Sequence, residues 1–382
     1  MVLRCLQSGG SSGTLALGYA VVADVSTSGE RGKYMGIVGA GINIGPALSP
    51  VLGGILSEYL GWRAIFWFCA IFTVIWIIPY TLSVPETCRN VVGNGSIPPQ
   101  GWNMTLIDYM RFRHQPQRER AVRKQKLRFP NPLRSLAVIC EKQVGIILFY
   151  NALLYLIFIT MVATMSTQFA EIYHYNDLEL GLCYLPYGVG CCIAAISQGY
   201  ILDWNYRRTA RKIGFTINLK RGDDLSKFPI EKARIQTVYP TISLGIVATI
   251  IYGWVLEMEP SIAAPLVLQF IIGMCVTGSF GILNTLIVDL YPEAPATAVA
   301  ANNFVRCCLG AVATSVVESM IKGMGRGWTF TFFPLLALVF SPILWISTKY
   351  GMQWRAERRA RNQKRKEKKA SEKAAAAAVA TS

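Results

Sequence analysis

The chain has 382 residues, of which 52% are hydrophobic and 16% carry a charge. A composition this apolar excludes an ordinary soluble protein, because much of such a surface has to face lipid. The net charge of +16 is strongly basic, so the positions of Lys and Arg must decide between a nucleic-acid partner and a membrane.

Nine stretches of the sequence are apolar enough to be predicted transmembrane helices. Eight contain no Asp, Glu, Lys or Arg and are roughly 19 to 29 residues long, where a bilayer core needs about 20. In chain order they cover residues 5–23, 34–57, 64–85, 143–170, 180–202, 235–256, 260–288 and 327–348. A ninth stretch, 294–320, is interrupted by Arg306 and Glu318. We therefore predict an all-α, polytopic membrane protein with about nine spans.

The basic residues are concentrated between these stretches. Segments 26–33, 85–142, 203–234 and 349–382 hold 33 of the 38 Lys and Arg residues. If successive helices alternate in direction, all four segments lie on one side, which the positive-inside rule identifies as the cytosol. The positive charge is therefore interpreted as a topology signal, and no nucleic-acid partner is expected.

The same map divides the chain into four parts. Residues 1–85 form the end of an N-terminal helical half, 86–142 a cytosolic central loop, 143–348 a C-terminal half of six spans, and 349–382 a basic cytosolic tail. The spacing between Asp24 and Gly45 recurs between Asp289 and Gly310, which matches the first three spans to the last three. Repeated halves are typical of secondary transporters. Both this repeat and the odd number of spans predict three further helices before residue 1.

The sequence offers no pattern for a metal, a cofactor or ATP. The adjacent pairs Cys191–Cys192 and Cys307–Cys308 lie inside apolar stretches, where packing is the better interpretation. The two His residues lie in separate loops, and no Gly-x4-Gly-Lys-Ser/Thr loop is present. We expect no cofactor and no enzymatic activity.

Several motifs resemble those of one transporter family. Residues 41–54 (GINIGPALSPVLGG) resemble the antiporter motif on helix five of drug:proton antiporters in the major facilitator superfamily, and 4–9 (RCLQSG) resemble its helix-four motif. Residues 199–208 (GYILDWNYRR) resemble its second-half loop signature, with Trp204 and Tyr206 replacing a basic residue and a glycine. The fungal quinidine-resistance branch is resembled by 23–36 (ADVSTSGERGKYMG), 85–90 (PETCRN), 228–234 (FPIEKAR) and 301–306 (ANNFVR).

This resemblance implies two six-helix halves, of which the chain holds the equivalents of helices 4 to 12. It implies a proton-coupled secondary transporter that exports drugs, polyamines or secondary metabolites by alternating access; the alternative is a truncated, transport-inactive fragment. The expected partners are a small-molecule substrate, protons and the lipid bilayer. We expect a multi-pass monomer, in the plasma membrane rather than the vacuolar membrane.

The resemblance assigns proton coupling to Arg4 and Gln7. A cation inside a span costs about 2.5 to 3.5 kcal/mol on insertion scales, so Arg4 should face a polar cavity or a partner. The alternative is that Arg4 reaches to the outer interface.

Gating is expected where the spans approach each other closely. Asp203, with Arg207 and Arg208, should meet the N-terminus of helix five, where Arg31 or Lys33 offers a cation. Asp24 and Asp289 are the equivalent carboxylates of the two repeats, with capping as the alternative role. Glycines on helix five predict close packing and Pro46 and Pro50 predict bending, with a static packing face as the alternative; the glycines are Gly32, Gly36, Gly41, Gly45, Gly53 and Gly54.

Substrate contacts are expected from polar and aromatic residues inside the C-terminal spans. Arg306 follows Asn302 by about one turn on the same helix face, and this pair suits a polar substrate or a structural hydrogen bond. Aromatic residues in spans also serve as packing or interfacial anchors. The remaining candidates are Asn151, Tyr155, Tyr184, Tyr187, Gln269 and Asn284.

Overall fold

The computed structural model describes residues 2–26, 30–88, 92–93, 104–112, 133–215, 228–258, 261–291 and 295–381, and these ranges contain helices and no β-strand. Most of the predicted central loop lies outside them. In chain order the helices are α1 (Val2–Ser11), α2 (Gly13–Val25), α3 (Arg31–Leu60), α4 (Trp62–Ser83), α5 (Leu106–Phe112), α6 (Leu133–Ile139), α7 (Lys142–Tyr173), α8 (Asp177–Cys183), α9 (Leu185–Ile213), α10 (Ile230–Ile235), α11 (Val238–Glu257), α12 (Ala263–Leu290), α13 (Pro295–Val339) and α14 (Pro342–Thr381).

Seven helical stretches among the described residues are long and apolar enough to cross a membrane. They are Arg31–Leu60, Trp62–Ser83, Lys142–Tyr173, Asp177–Ile213, Ile230–Glu257, Ala263–Leu290 and Pro295–Lys364. This supports the prediction of a multi-pass helical membrane protein, while the count of nine stays a prediction. The first predicted span is divided between α1 and α2 near Ser12, and the last two are joined in a single stretch that bends at Gly325.

Five helices form the body of the bundle. Helix α7 packs against α12 and α13, α9 packs against α12, and α11 packs against α12 and α13. Their facing side chains share one apolar core, which includes Leu148, Ile157, Phe169, Ile287 and Phe330, each at most 2% exposed. In a bilayer such helices associate by close packing, because lipid tails are as apolar as the side chains.

Helix α3 joins this body through glycines that face α9. A Cβ atom on Gly36 would lie 2.5 Å from the carbonyl oxygen of Ala195, and one on Gly199 would lie 2.7 Å from that of Gly32. These distances leave no room for a side chain. The two backbones therefore touch, as small residues allow in membrane bundles.

Three other glycines of α3 do not take part in this packing. A Cβ atom on Gly41, Gly45 or Gly53 would meet no described atom within 4 Å. For these three the close approach stays a prediction, because no described helix packs on the helix surface they occupy. Gly54 does meet a neighbour, since its Cβ position lies 2.7 Å from the carbonyl oxygen of Asp177.

Helix α4 lies at the edge of the bundle. It packs against α3 and α5 and has no buried residue. Its aromatic side chains are turned outward, with Trp67 72% and Trp76 64% exposed. A continuous apolar surface of this kind is unsuited to water and fits the hydrocarbon of a bilayer.

The bend in α13 is fixed by a carboxylate from α11. Gly325 has φ 86°, a left-handed value that glycine adopts without strain. The helix resumes with the N–H groups of Arg326 and Gly327, which donate to Glu257 Oε2 at 2.8 and 3.2 Å. Because a helix N-terminus favours an anion, Glu257 determines where the last predicted span begins.

Candidate functional site

Asp203 of α9 lies at one end of the bundle, together with Asp289, Arg234 and Arg355; we call this the basic end. The Asp203 carboxylate accepts hydrogen bonds from two backbone N–H groups at the start of α3, from Gly32 at 3.0 Å and from Lys33 at 2.9 Å. The carboxylate thus caps the N-terminus of α3 and complements its dipole. The structure therefore joins the two helices here, and the gating role of Asp203 stays a prediction.

A cluster of four buried charges surrounds this cap. Arg31 Nη1 donates to Asp289 Oδ1 at 2.6 Å, and Arg234 Nε donates to Asp289 Oδ2 at 3.0 Å. Arg234 Nη1 also lies 4.0 Å from Asp203 Oδ1. We call Arg31, Asp203, Arg234 and Asp289 the charge cluster; its formal charges cancel, which lets it persist in a buried environment.

The charge cluster corrects one expectation from the sequence. The expected pairing of the Arg31 side chain with Asp203 is wrong, because that side chain reaches across to α12 and binds Asp289. Lys33 meets Asp203 through its backbone N–H. Successive helical residues point in different directions, so only one of the first three residues of α3 turns its side chain toward α12.

The other predicted gating residues lie on α9 and α2. Arg207 and Arg208 are both exposed on α9, and the Arg208 guanidinium lies over the Trp204 ring at 5.3 Å. Asp24 is partly buried near the end of α2. The predicted roles of all three in gating stay predictions.

A second group of polar contacts ties the C-terminal helix to the basic end. Nη2 of Arg355, on α14, donates to Glu231 Oε2 of α10 at 2.9 Å and to the carbonyl oxygen of Phe228 at 2.8 Å. Gln143 of α7 donates to the same Glu231 at 2.6 Å. Because Glu231 and Arg234 share the short helix α10, the C-terminal helix and the charge cluster are held by one element.

Three asparagines meet in the interior of the bundle. Asn302 Nδ2 donates to Asn284 Oδ1 at 2.6 Å, and Asn151 Nδ2 donates to Asn302 Oδ1 at 3.1 Å. All three side chains belong to residues at most 4% exposed. They join α7, α12 and α13, so three of the predicted substrate residues form a hydrogen-bonded triad whose members largely satisfy one another.

Arg306 lies one turn beyond this triad, in a cavity of about 240 Å³. The cavity lies between α2 and α3 on one side and α7, α9, α12 and α13 on the other. The Arg306 guanidinium lies over the rings of Tyr155 and Phe280, at 4.9 and 5.4 Å from their centres. We call this the Arg306 cavity; its walls include Tyr19, Gly39, Asn43, Pro46, Tyr155, Gln198, Thr277 and Phe280.

Two polar atoms in this cavity have no hydrogen-bond partner. They are Nε of Arg306, a donor, and Oε1 of Gln198, an acceptor, both shielded from solvent. Among the described residues no Asp or Glu lines the cavity. Buried polar groups are normally paired, so the geometry suits a ligand with an anionic acceptor for Arg306 and a donor for Gln198.

The structure separates the remaining substrate candidates from this cavity. Tyr184 hydrogen-bonds to Ser166 at 2.8 Å and to the carbonyl of Val162, and Gln269 donates to Tyr252 at 3.3 Å. Tyr187 is 4% exposed and packs beside Phe158. None of these three is among the cavity's described wall residues.

The predicted proton-coupling residues belong to α1. The side chain of Arg4 lies outside the described part of the structure, and Gln7 is exposed. Pro46 lines the Arg306 cavity, while the carbonyl of Pro50 faces Gly181, whose Cβ position would be 2.6 Å away. Of the two prolines expected to bend α3, one is therefore at the cavity and the other at the contact with α8.

Sequence reasoning missed Arg234, Glu231, Arg355 and Gln198. A signal was present for the first two, because they occur in the segment 228–234 immediately before a charge-free stretch. Ionisable residues at such a boundary are either interfacial or paired, and the sequence does not say which. Arg234 is fully buried, so here pairing prevails.

Comparison with known proteins agrees with this architecture. Residues 1–315 match the family model described as Major Facilitator Superfamily. The chain is 41% identical over 362 residues to MFS-type transporter phiD of a fungal species (strain ATCC 74256), covering 94% of this chain and 55% of that protein. It is 40% identical over 360 residues to MFS-type transporter phiL of the same fungus, covering 90% and 85%. It is 33% identical over 375 residues to Citrate exporter 1 of Aspergillus niger, covering 94% and 70%.

These relatives are named as transporters, and the chain spans only 55% of the length of phiD. Among solved structures, the human organic anion transporter MFSD10 (TETRAN) is similar with a TM-score of 0.52 at 16% identity, over 87% of this chain and 68% of that one. At this identity the likeness shows the fold alone. The family match over most of the chain and the 40% identity to phiL show that the chain belongs to the Major Facilitator Superfamily.

Proposed function

We propose that this protein is a proton-coupled secondary transporter that exports a small acidic organic molecule bound at Arg306. The observation that carries the proposal is the position of that cation. Arg306 is 11 residues into α13, roughly 16 Å along the helix, in a cavity without a described carboxylate. A cation this deep costs about 2.5 to 3.5 kcal/mol on insertion scales, so a binding role would account for its presence.

The chemistry of the cavity narrows the substrate classes expected from the sequence. A carboxylate can accept two parallel hydrogen bonds from one guanidinium, and aromatic walls suit an apolar body. A polyamine would need a carboxylate, and no described residue of the Arg306 cavity supplies one. Among drugs, polyamines and secondary metabolites, acidic secondary metabolites and organic acids therefore fit best. The relative named Citrate exporter 1 supports the same choice.

Alternating access would use the two polar regions differently. The cap of Asp203 on α3 and the charge cluster would close the basic end, while the substrate occupies the Arg306 cavity. Arg4 and Gln7 stay the proposed proton-coupling residues, on the strength of the family resemblance. The proposed setting is a monomer in the plasma membrane.

The test is proton-driven uptake in proteoliposomes that contain the purified chain, with radiolabelled citrate as the probe. We expect uptake to require a pH gradient and Arg306→Gln to lower its initial rate by about tenfold or more, since hydrogen bonds to a charged group contribute about 1.5 to 3 kcal/mol. The matched control is Arg63→Gln, which removes an exposed arginine. Undiminished uptake by Arg306→Gln, or a preference for spermidine over citrate, would refute the acidic-substrate proposal. Uptake that survives a protonophore would refute proton coupling.

A further inference from the structure

A second cavity lies apart from the proposed substrate site. It has a volume of about 860 Å³ and runs along the outside of the bundle between α9, α11 and α12, beside α10. Among the described residues, Gln198 alone borders both this groove and the Arg306 cavity. We call it the α9–α11 groove.

The groove is basic at one end. Arg208 and Lys212 of α9 and Lys232 of α10 line it, and all three are exposed. None of them forms an ion pair with a described residue, and no described Asp or Glu lines the groove. Three cations from two helices thus converge on one opening without an anion among the described residues.

The remaining walls of the groove are mostly apolar and open. Ile201 is 47%, Trp204 59% and Leu244 49% exposed. On α9, Ile201 and Lys212 are 11 residues apart, which is roughly 16 Å along the helix. A ligand that fills the groove must therefore be anionic at one end and apolar over more than a nanometre.

We propose that the α9–α11 groove binds an anionic phospholipid of the cytosolic leaflet. Its phosphate lies between Arg208, Lys212 and Lys232, and an acyl chain follows Ile201, Trp204 and Leu244. The concentration of Lys and Arg at the basic end makes that end cytosolic, and the cytosolic leaflet carries the anionic lipids that basic pockets between helices recognise. The exposed side chains of Ile201, Trp204 and Leu244 leave the apolar wall accessible to a lipid chain.

The occupied groove has a structural consequence at the basic end. Lys232 lies on α10 between Glu231, which binds Arg355, and Arg234, which belongs to the charge cluster. A phosphate held by Lys232 and Arg208 joins α10 to α9. The lipid therefore adds to the hydrogen bond between Asn205 and the carbonyl of Ala233, which already links these helices at 2.5 Å.

The test is native mass spectrometry of the purified chain with dioleoyl phosphatidylserine or dioleoyl phosphatidylcholine. The variant Arg208→Gln/Lys212→Gln/Lys232→Gln should bind phosphatidylserine at least about tenfold more weakly. The matched control is Arg359→Gln/Lys364→Gln/Lys368→Gln, which removes three exposed charges from α14 and should bind as the unchanged chain does. Thermal unfolding midpoints of both variants are measured in the same detergent.

A second variant tests the apolar wall without changing charge. Leu244→Trp fills the groove and should weaken phosphatidylserine binding while its unfolding midpoint is kept. If both triple variants lost the same affinity for phosphatidylserine, the binding would come from surface electrostatics alone. That result would overturn the proposed site. So would equal affinity for the two lipids, or full displacement of the lipid by soluble glycerophosphoserine at equal concentration, since then the apolar wall contributes nothing.

Discussion

Two regions of the bundle hold charged side chains in its interior, and they differ in whether the described charges balance one another. At the basic end, Arg31 and Arg234 face Asp203 and Asp289, so the formal charges cancel. In the Arg306 cavity a guanidinium lies over two neighbouring aromatic rings, and no described carboxylate lines the walls. The difference teaches that burial of charge does not by itself mark a binding site. A cluster whose formal charges cancel joins helices, whereas a cation in a cavity without a described carboxylate suits an anionic ligand.

The largest expected effect comes from unbalancing the charge cluster. Asp289→Asn leaves Arg31 and Arg234 with Asp203 as the one carboxylate of the cluster. Removing one partner of a buried ion pair costs about 3 to 5 kcal/mol, and we expect the free energy of unfolding to fall by that amount. Equilibrium unfolding in detergent measures it, with Asp177→Asn as the control because Asp177 is exposed. A change below about 1 kcal/mol, a size typical of exposed ion pairs, would contradict a stabilising role for the cluster.

A smaller effect, on citrate affinity instead of stability, is expected from substitutions in the Arg306 cavity. Arg306→Gln should weaken citrate binding by about tenfold or more, because about 1.5 to 3 kcal/mol of charged hydrogen bonding is lost. Arg306→Lys keeps the positive charge but loses the planar guanidinium, which can donate two parallel hydrogen bonds. This variant should therefore bind citrate with intermediate affinity. Titration calorimetry of the three proteins checks this order. Equal affinity of the lysine and glutamine variants would mean that charge is not what the cavity contributes.

The third prediction concerns the contact between α9 and α3. Asp203→Asn replaces charged acceptors by a neutral amide, and we expect a shift of about 1.5 kcal/mol, roughly tenfold, toward an open basic end. The reporter is Asn43→Cys, which places a thiol on the wall of the Arg306 cavity, in a chain whose ten native Cys are replaced. Its labelling by a maleimide from the basic side should accelerate in Asp203→Asn and stay unchanged in Arg211→Gln, which removes an exposed charge from the same helix. An unchanged labelling rate in Asp203→Asn would show that the hydrogen bonds between Asp203 and the start of α3 do not hold the basic end closed.

The smallest effect is expected from an exposed pair. Glu318 and Lys322 lie 3.5 Å apart on α13, with side chains 41% and 73% exposed. Pairs of this kind contribute about 0.3 to 0.5 kcal/mol. Glu318→Gln should therefore change neither unfolding nor citrate binding measurably. A loss of transport in this variant would contradict this expectation and give Glu318 a role in transport.

The sequence predicted most of the helices but only some of the contacts between them. The charge-free stretch 143–170 falls inside α7, and all but the first three residues of 260–288 belong to α12, because hydrocarbon leaves no other backbone structure available. Boundaries were less certain where a glycine or serine interrupts an apolar run. Gly325 bends one continuous stretch, and its position depends on Glu257, a residue 68 positions earlier in the chain. The pattern of apolar residues around Gly325 does not reveal a partner so far away in the sequence.

The site was predictable where internal symmetry or helical spacing applied. Comparing the two repeats placed Asp203 near the start of α3, and the one-turn spacing placed Asn302 beside Arg306. Neither rule reveals the direction of a side chain around its helix or its depth in the bundle. For that reason Arg31 and Lys33 were left as alternative partners of Asp203, whereas the Arg31 side chain binds Asp289. Gln198 was overlooked, and Tyr184 and Gln269 were grouped with residues from which the structure separates them.

The most direct test of this account measures stability and binding in the same two variants. In Asp289→Asn we predict a lower free energy of unfolding, with citrate affinity per folded molecule unchanged. In Arg306→Gln we predict unchanged unfolding, with citrate affinity reduced about tenfold or more. If instead both variants lose stability and affinity together, the charge cluster and the Arg306 cavity are one unit, and the division of roles proposed for them is contradicted.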